Sequence, residues 1–438
     1  MKTILSLSIL CASIVLNCAA SDWPGWRGEH RDGHVPSGEA VPEKLPATPR
    51  IVWHVPTADG FSSPVVASGK VVLTDFEPDK NSAPATAPAG KKPPKAVPAG
   101  REIVRALNAA TGDELWHVDL DSQHKDGFGT GPRCTPLIDG NLVFAQSTKG
   151  ELKCLNLADG KTVWSKNYIK DFGQKYVGEV GQTAGAARHG NNGSPLVDGE
   201  HLIALPGATG AGIVCFNKKT GDIVWKSQDD MAGYAPPVKM ELCGTPQYVV
   251  FTAIALIGLD PADGKLLWRS PVKTSLGRHV TTPVSIVDTV IVSSHQAGIA
   301  GVKISKDGSG FKAEQIWANK EAAINFASPV AANGHLFGVG NASKLVCIEP
   351  LKGEIAWDQA GYLNKDSTHA HASLLVLGKN ILALTDMGEL LLFPADPKEF
   401  HEISRVKICG PTWCNPPYAG GRLYVRDANE LQCIDLLK

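Results

Sequence analysis

The chain has no surplus of either charge: 43 Lys and Arg stand against 44 Asp and Glu, a net charge of −1. That balance excludes the broad basic face that nucleic acid or an anionic lipid surface requires. Beyond residue 20 no run is long and apolar enough to span a bilayer. A Gly-x-Ser-x-Gly elbow, a His-Glu-x-x-His helix, a phosphate loop and a paired-carboxylate signature are all missing from any context that would make them work. GATGAG at 207–212 has the glycines of a phosphate loop, but it leads into a strand, so the anion site of a helix N-terminus is not there. Turn chemistry is plentiful instead, with 45 Gly and 30 Pro, as in a chain of many tight connections.

Those turns recur in a fixed pattern. ALNAATGDELW ends at Trp116, CLNLADGKTVW at Trp164, CFNKKTGDIVW at Trp225, GLDPADGKLLW at Trp268 and CIEPLKGEIAW at Trp357. Each has Asn, Asp or Glu eight residues before the Trp and Gly four before it. Apolar residues end one strand, Asn or Asp with Gly supplies a turn with a left-handed position, and a second strand carries the Trp. A second hairpin precedes each of most such units: Ser68-Gly69, Asp139-Gly140, Asp198-Gly199, Val287-Asp288 and Asn333-Gly334 mark the turns. Four consecutive antiparallel strands per unit make a propeller blade.

The structural tryptophans are Trp53, Trp116, Trp164, Trp225, Trp268, Trp317 and Trp357, with Ile403 near the place of an eighth. The Trp317 unit lacks its Gly and the Ile403 unit lacks both marks, so altered outer turns are expected there. The last stretch, Asn415 to Lys438, supplies three strands, and Arg50 to Val55 is a strand without a partner. Joining the two seals the ring and removes a free edge. The fold class is therefore all-β: an eight-bladed propeller of four-stranded blades, closed by an N-terminal strand.

Residues 1–20 read as an export signal, with Lys2, an apolar core from Ile4 to Leu16 and a small-residue cleavage site at Cys18-Ala19-Ala20. Periplasmic or secreted placement follows, with lipidation of Cys18 as the alternative to cleavage. Residues 21–49 form a cap segment around DWPGWRGEHRDG, and residues 50–438 form the propeller. The Pro-, Ala- and Lys-rich insertion at 77–101 is expected to be a mobile loop, and residues 169–190 to lengthen one link between blades. Cys154, Cys215, Cys347 and Cys433 share one repeat position and read as small buried hydrophobes, too far apart to bridge. Cys409 and Cys414 are the expected pair, and Cys134 and Cys243 have no assignment.

The long segments all fall on one face of such a ring and the short turns on the other, so a site is expected at the channel mouth on the long-loop face. Its candidate binding residues are Arg133, Asn191, Asn192, Arg278, His279, Asn325, His369, His371, Trp413 and Asn415. No Asp or Glu stands among the residues just before the inner strands, which argues against calcium and against a carboxylate base. His369 and His371 could meet His279 or His189 around a metal, but no carboxylate or thiolate accompanies them, and no metal site and no catalytic residue is assigned.

With these repeats the chain resembles the pyrroloquinoline-quinone (PQQ)-type repeat family, from Arg50 to Lys438, and is closest in character to its BamB-like exported propellers. The resemblance implies an eight-bladed ring with each Trp docked between blades. The family's quinoprotein dehydrogenases bind PQQ with calcium, against an adjacent Cys pair and with an acidic base. This chain has no adjacent Cys pair in the propeller. The expected function is thus that of a non-catalytic, cofactor-free binding or scaffold module, a monomer, for an envelope protein or a glycan. The alternative is a PQQ-dependent alcohol or sugar dehydrogenase with divergent ligands.

Overall fold

The structure is a computed structural model and describes residues 21–58, 60–79, 99–367 and 369–438. The expected signal at 1–20, Cys18 and residues 80–98 of the insertion lie outside the described residues. The insertion's ends at 77–78 and 100–101 are paired strand.

Eight four-stranded antiparallel sheets form the ring. Blade 1 consists of Val65–Ala67, Lys70–Pro78, Gly100–Asn108 and Glu114–Ser122, from channel to rim. Blades 2 to 7 follow in chain order, their inner strands beginning at Leu137, Leu196, Val238, Val284, Val330 and Ala372. Blade 8 takes Tyr418–Ala419, Arg422–Arg426 and Glu430–Asp435 from the C-terminus and Arg50–Pro56 from the N-terminus. Trp53 stands opposite Cys433 in that closing pair. A buried ion pair locks the closure: Arg426 of blade 8, 1% exposed, donates to Asp75 Oδ1 of blade 1 at 2.7 Å.

The repeated motif explains how blades adhere. Asn108 Oδ1 accepts from the Ala110 amide at 2.8 Å, and Asn156 Oδ1 from Ala158 at 2.8 Å, so the polar residue eight before the Trp shapes the turn. The next residue's carbonyl receives the Trp of the preceding blade: Trp53 Nε1 donates to Ala109 at 3.0 Å, Trp116 to Leu157 at 3.0 Å and Trp164 to Lys218 at 3.0 Å. The motif's glycine lies flat against that same ring. Gly160 has φ +72°, and a Cβ there would stand 2.7 Å from Trp116, so both the backbone and the contact require glycine. Within its own blade each Trp faces a small residue, as Ala106 faces Trp116, Cys154 faces Trp164 and Gly258 faces Trp268. The repeat cysteines fill this slot and are fully buried.

Four local features differ from the sequence reading or complete it. Blade 4 has an inner hairpin, Val238–Leu242 with Thr245–Phe251, turned at Cys243 (φ +52°) and Gly244 (φ +69°); a cysteine in a left-handed position hid that turn. Blade 5 has an outer hairpin of two ten-residue strands, Gly298–Asp307 and Gly310–Asn319. Trp268, lacking the usual turn to meet, bonds instead to Gln247 Oε1 of its own blade. In blade 7 the register pairs Leu392 with Ser404, so Ser404, beside Ile403, holds the place of the Trp. Finally, Cys409 and Cys414 are free thiols, as are all eight described cysteines. Their surroundings differ: the Cys414 carbonyl is fixed by Ser373, while the Cys409 thiol faces the Gly388 carbonyl.

The N-terminal segment threads the channel from the short-turn face. Trp23 pairs with Val66 of blade 1, the Pro24 carbonyl accepts from Ile138 of blade 2, and Gly33 and Val35 bond Val376 of blade 7. Arg31 donates to the Ser194 and Pro237 carbonyls at 3.0 and 3.1 Å, and Arg27 to Pro329 at 2.7 Å. Trp26 Nε1 bonds Thr282 Oγ1 at 2.9 Å. Further on, Leu45 is anchored by Ser404 Oγ and packs with Leu390, Leu392 and Tyr418, filling the place of the missing Trp between blades 7 and 8.

Candidate functional site

The connections between blades open on the opposite face. The one after blade 1 doubles back on itself: Lys125–Asp126 pairs with Gly129–Thr130 around Gly127 and Phe128. Asp-Gly at its turn is a hairpin signal. Phe128 at the tip meets His189 at 5.2 Å, His369 at 5.5 Å and Phe326 at 6.0 Å. Those three residues precede blades 3, 7 and 6, so one aromatic ring spans the mouth.

Behind Phe128 stands Asp126, its side chain 3% exposed. Oδ1 accepts from Arg133 Nη2 and from the Phe128 amide at 2.8 Å, and Oδ2 accepts from His189 Nδ1 at 2.8 Å and His124 Nε2 at 3.3 Å. His124 Nδ1 and the Tyr176 hydroxyl are 2.9 Å apart. Burial pushes the Asp126 pKa up, but the bonds from His124 and His189 and the Arg133 guanidinium outweigh it and hold the carboxylate well below its usual range. This corrects the reading of a mouth without acids. The hairpin folds a carboxylate seven residues ahead of Arg133 back against it, a placement invisible to a survey of residues adjoining the inner strands.

A cavity of about 140 Å3 lies at the centre. Of the expected residues, Arg133, Asn192, Arg278, His371, Trp413 and Asn415 line it. His369 packs on Phe326 at 5.0 Å beside it. Asn191 is turned away, bonded to Gln174 at 2.6 Å. His279 is stacked on Phe251 at 4.1 Å, with Nδ1 2.6 Å from the Thr252 carbonyl, and burial pulls its pKa down to about 4. Asn325 is not in the wall, although its neighbour Phe326 is. His279, His369 and His371 therefore do not converge, and among the described residues no group of three His, Cys, Asp or Glu is placed to hold a metal.

The sequence reading missed Phe61, Phe128 and Trp26 as walls of this cavity. Phe61 and Phe326 occupy similar places, just ahead of the small residues that lead into an inner strand, and that shared position was a usable signal. The insertion at 169–190 folds over the adjoining links. Its Gly185 amide bonds Leu276 at 2.9 Å, the Gly185 carbonyl receives the Tyr234 hydroxyl at 2.7 Å, and Glu179 accepts from Gly127 at 2.7 Å. Val177 and Val180 are left exposed on it, at 52% and 62%.

A family model described as outer membrane protein assembly factor BamB matches residues 100–359. The outer membrane protein assembly factor BamB of Salmonella typhimurium is 38% identical over 68 residues, which is 14% of this chain and only 16% of that protein's length. The crystal structure of BamB from Moraxella catarrhalis aligns with a TM-score of 0.54 at 15% identity, covering 89% of this chain and 100% of that one. The quinohemoprotein alcohol dehydrogenase of Comamonas testosteroni aligns with a TM-score of 0.48 at 13% identity, covering 95% and 80%. The BamB likeness bears on the fold alone, and the weaker one decides nothing.

Proposed function

The chain belongs to the family of the outer membrane protein assembly factor BamB, and on that premise we propose that it is an exported, non-catalytic propeller that binds an envelope protein through its long-loop face. The observation that carries this reading is the insertion at 169–190, stitched across the links of neighbouring blades with Val177 and Val180 held out to solvent. Apolar side chains displayed on a braced loop suit a protein partner better than a glycan, whose rings call for an exposed aromatic platform. Among the described residues no helix is long and apolar enough to cross a membrane. Residues 1–20 supply the export signal in this reading.

The residues at the mouth do not fit PQQ with calcium. Both oxygens of Asp126 are engaged by protein donors, the propeller has no adjacent Cys pair, and the cavity of about 140 Å3 is small for a three-ring tricarboxylate. Hard cations require several free oxygen ligands.

The test is a photo-crosslinker at Gln182, exposed beside the two valines, in purified protein mixed with a detergent extract of the source envelope. One discrete protein adduct, competed by unlabelled chain and lost in Val177→Asp/Val180→Asp, is the expected result. Equal retention of the double variant overturns docking on this face. Retention that survives protease treatment of the extract assigns the partner to the glycans.

A further inference from the structure

The central cavity is walled by aromatic rings in mutual contact: Phe61 lies 5.6 Å from Trp413, and Trp413 lies 5.3 Å from Phe326. Trp26 and Tyr234 contribute to the same wall. Two guanidiniums project into this apolar surround, Arg133 at 5.9 Å and Arg278 at 5.7 Å from the Phe128 centroid. The Arg278 side chain has no ion-pair partner among the described residues, and its Nε is buried without a hydrogen bond. Arg133 Nε is also a buried donor without one, its side chain 8% exposed.

A buried donor left without a partner forfeits its hydration and gains nothing in return. Two such donors beside one cavity, on Arg133 and Arg278, point to a ligand that accepts from them. No carboxylate lines the cavity, and Asp126 behind it is fully engaged. The missing partner is therefore an anion: a cation meets two like charges, and a neutral group leaves Arg278 uncompensated. Size and wall chemistry set the rest of the ligand. An apolar cavity of roughly 150 Å3 accepts one benzene ring, and this one measures about 140 Å3.

We propose that the channel cavity binds a single-ring aromatic carboxylate, its ring against Phe61, Phe326 and Trp413 and its carboxylate on Arg278, with Arg133 adjacent. The site goes beyond the binding of an envelope protein and stands without it. Its test contains no envelope component, so either can fail alone.

The experiment titrates the purified full-length secreted chain with benzoate, benzyl alcohol and benzylammonium while following tryptophan fluorescence, since Trp26 and Trp413 line the cavity. Benzoate is expected to saturate one site, benzyl alcohol to bind at least about tenfold more weakly, and benzylammonium not to bind. Arg278→Met, with thermal stability checked, should weaken benzoate about tenfold and abolish the preference over benzyl alcohol. Trp413→Leu should weaken both ligands alike. Absence of saturable benzoate binding, equal binding of the acid and the alcohol, or unchanged benzoate affinity in a folded Arg278→Met would each overturn the assignment. The acid-to-alcohol comparison needs no variant and holds even if the substitutions unfold the protein.

Discussion

Acid should destabilise this propeller through two histidines of the mouth region. His279 is fully buried against Phe251, and His371 is 4% exposed against Trp413 at 5.6 Å. Burial pulls both pKa values down to about 4, whereas in an unfolded chain each titrates near ~6.5. Above that unfolded value both states carry neutral rings and no stability is at stake. As pH falls toward about 4, the unfolded chain takes up protons that the folded chain refuses, and stability is lost. At about pH 5 the loss is about 2 kcal/mol per ring, about 4 kcal/mol for the pair. His371→Phe isolates one term: His371 Nδ1 has no hydrogen-bond partner, so a phenyl ring keeps the stack without leaving a donor stranded. Urea unfolding near pH 7 and near pH 5, read by tryptophan fluorescence, should show the variant losing about 2 kcal/mol less than the wild type between the two. An identical loss in both proteins would falsify the assignment of a buried neutral imidazole.

Two further outcomes follow from the ring itself. Arg426→Met removes donors to Asp75 Oδ1, Thr74 and Ala58 at 2.7, 2.8 and 2.9 Å, and equilibrium unfolding should record a loss of about 3–5 kcal/mol, as for a broken buried pair; a loss under about 1 kcal/mol would show that the closure does not depend on it. Val287, 76% exposed, holds φ +53° at the inner turn of blade 5, where a β-branched side chain is strained, so Val287→Asn should raise stability by about 1 kcal/mol in the same assay, and a decrease would contradict the strain.

The repeat was legible because everything that defines it is local. Asn108, Gly112 and Trp116 lie within one hairpin, and the reasons for them are a side-chain-capped turn, a left-handed residue and a ring that needs a small neighbour. The closing strand was legible for a different reason: three C-terminal strands and one orphan at Arg50 to Val55 leave a single way to finish the ring. The mouth was legible only as a region. Asp126 meets His189 across 63 residues of sequence, and Trp26 meets Thr282 across 256, and no periodicity carries such pairings. The polarity around Trp23, Arg27 and Arg31 concealed their burial for a physical reason. Their hydrogen-bond partners are backbone groups of the inner strands and of the residues leading into them, which every residue type provides and which leave no mark in composition.

The same N-terminal segment shows why the identifying motif and the candidate site are separate. Every inner strand presents a free edge to the channel, and an unpaired edge is a liability. In this chain the segment meets Val66, Ile138, Ser194, Pro237, Thr282, Pro329, Val376 and Tyr418, one point on or just ahead of the inner strand of each blade. The segment lies along the inner ends of the blades, and its Trp26 forms part of the cavity wall. The other walls of that cavity come from the links between blades, the parts of the repeat that the tryptophan dock leaves unconstrained. Fixing blade to blade through Gly112 and its counterparts on the far face is what frees Phe128, Arg133 and Arg278 to differ from one link to the next.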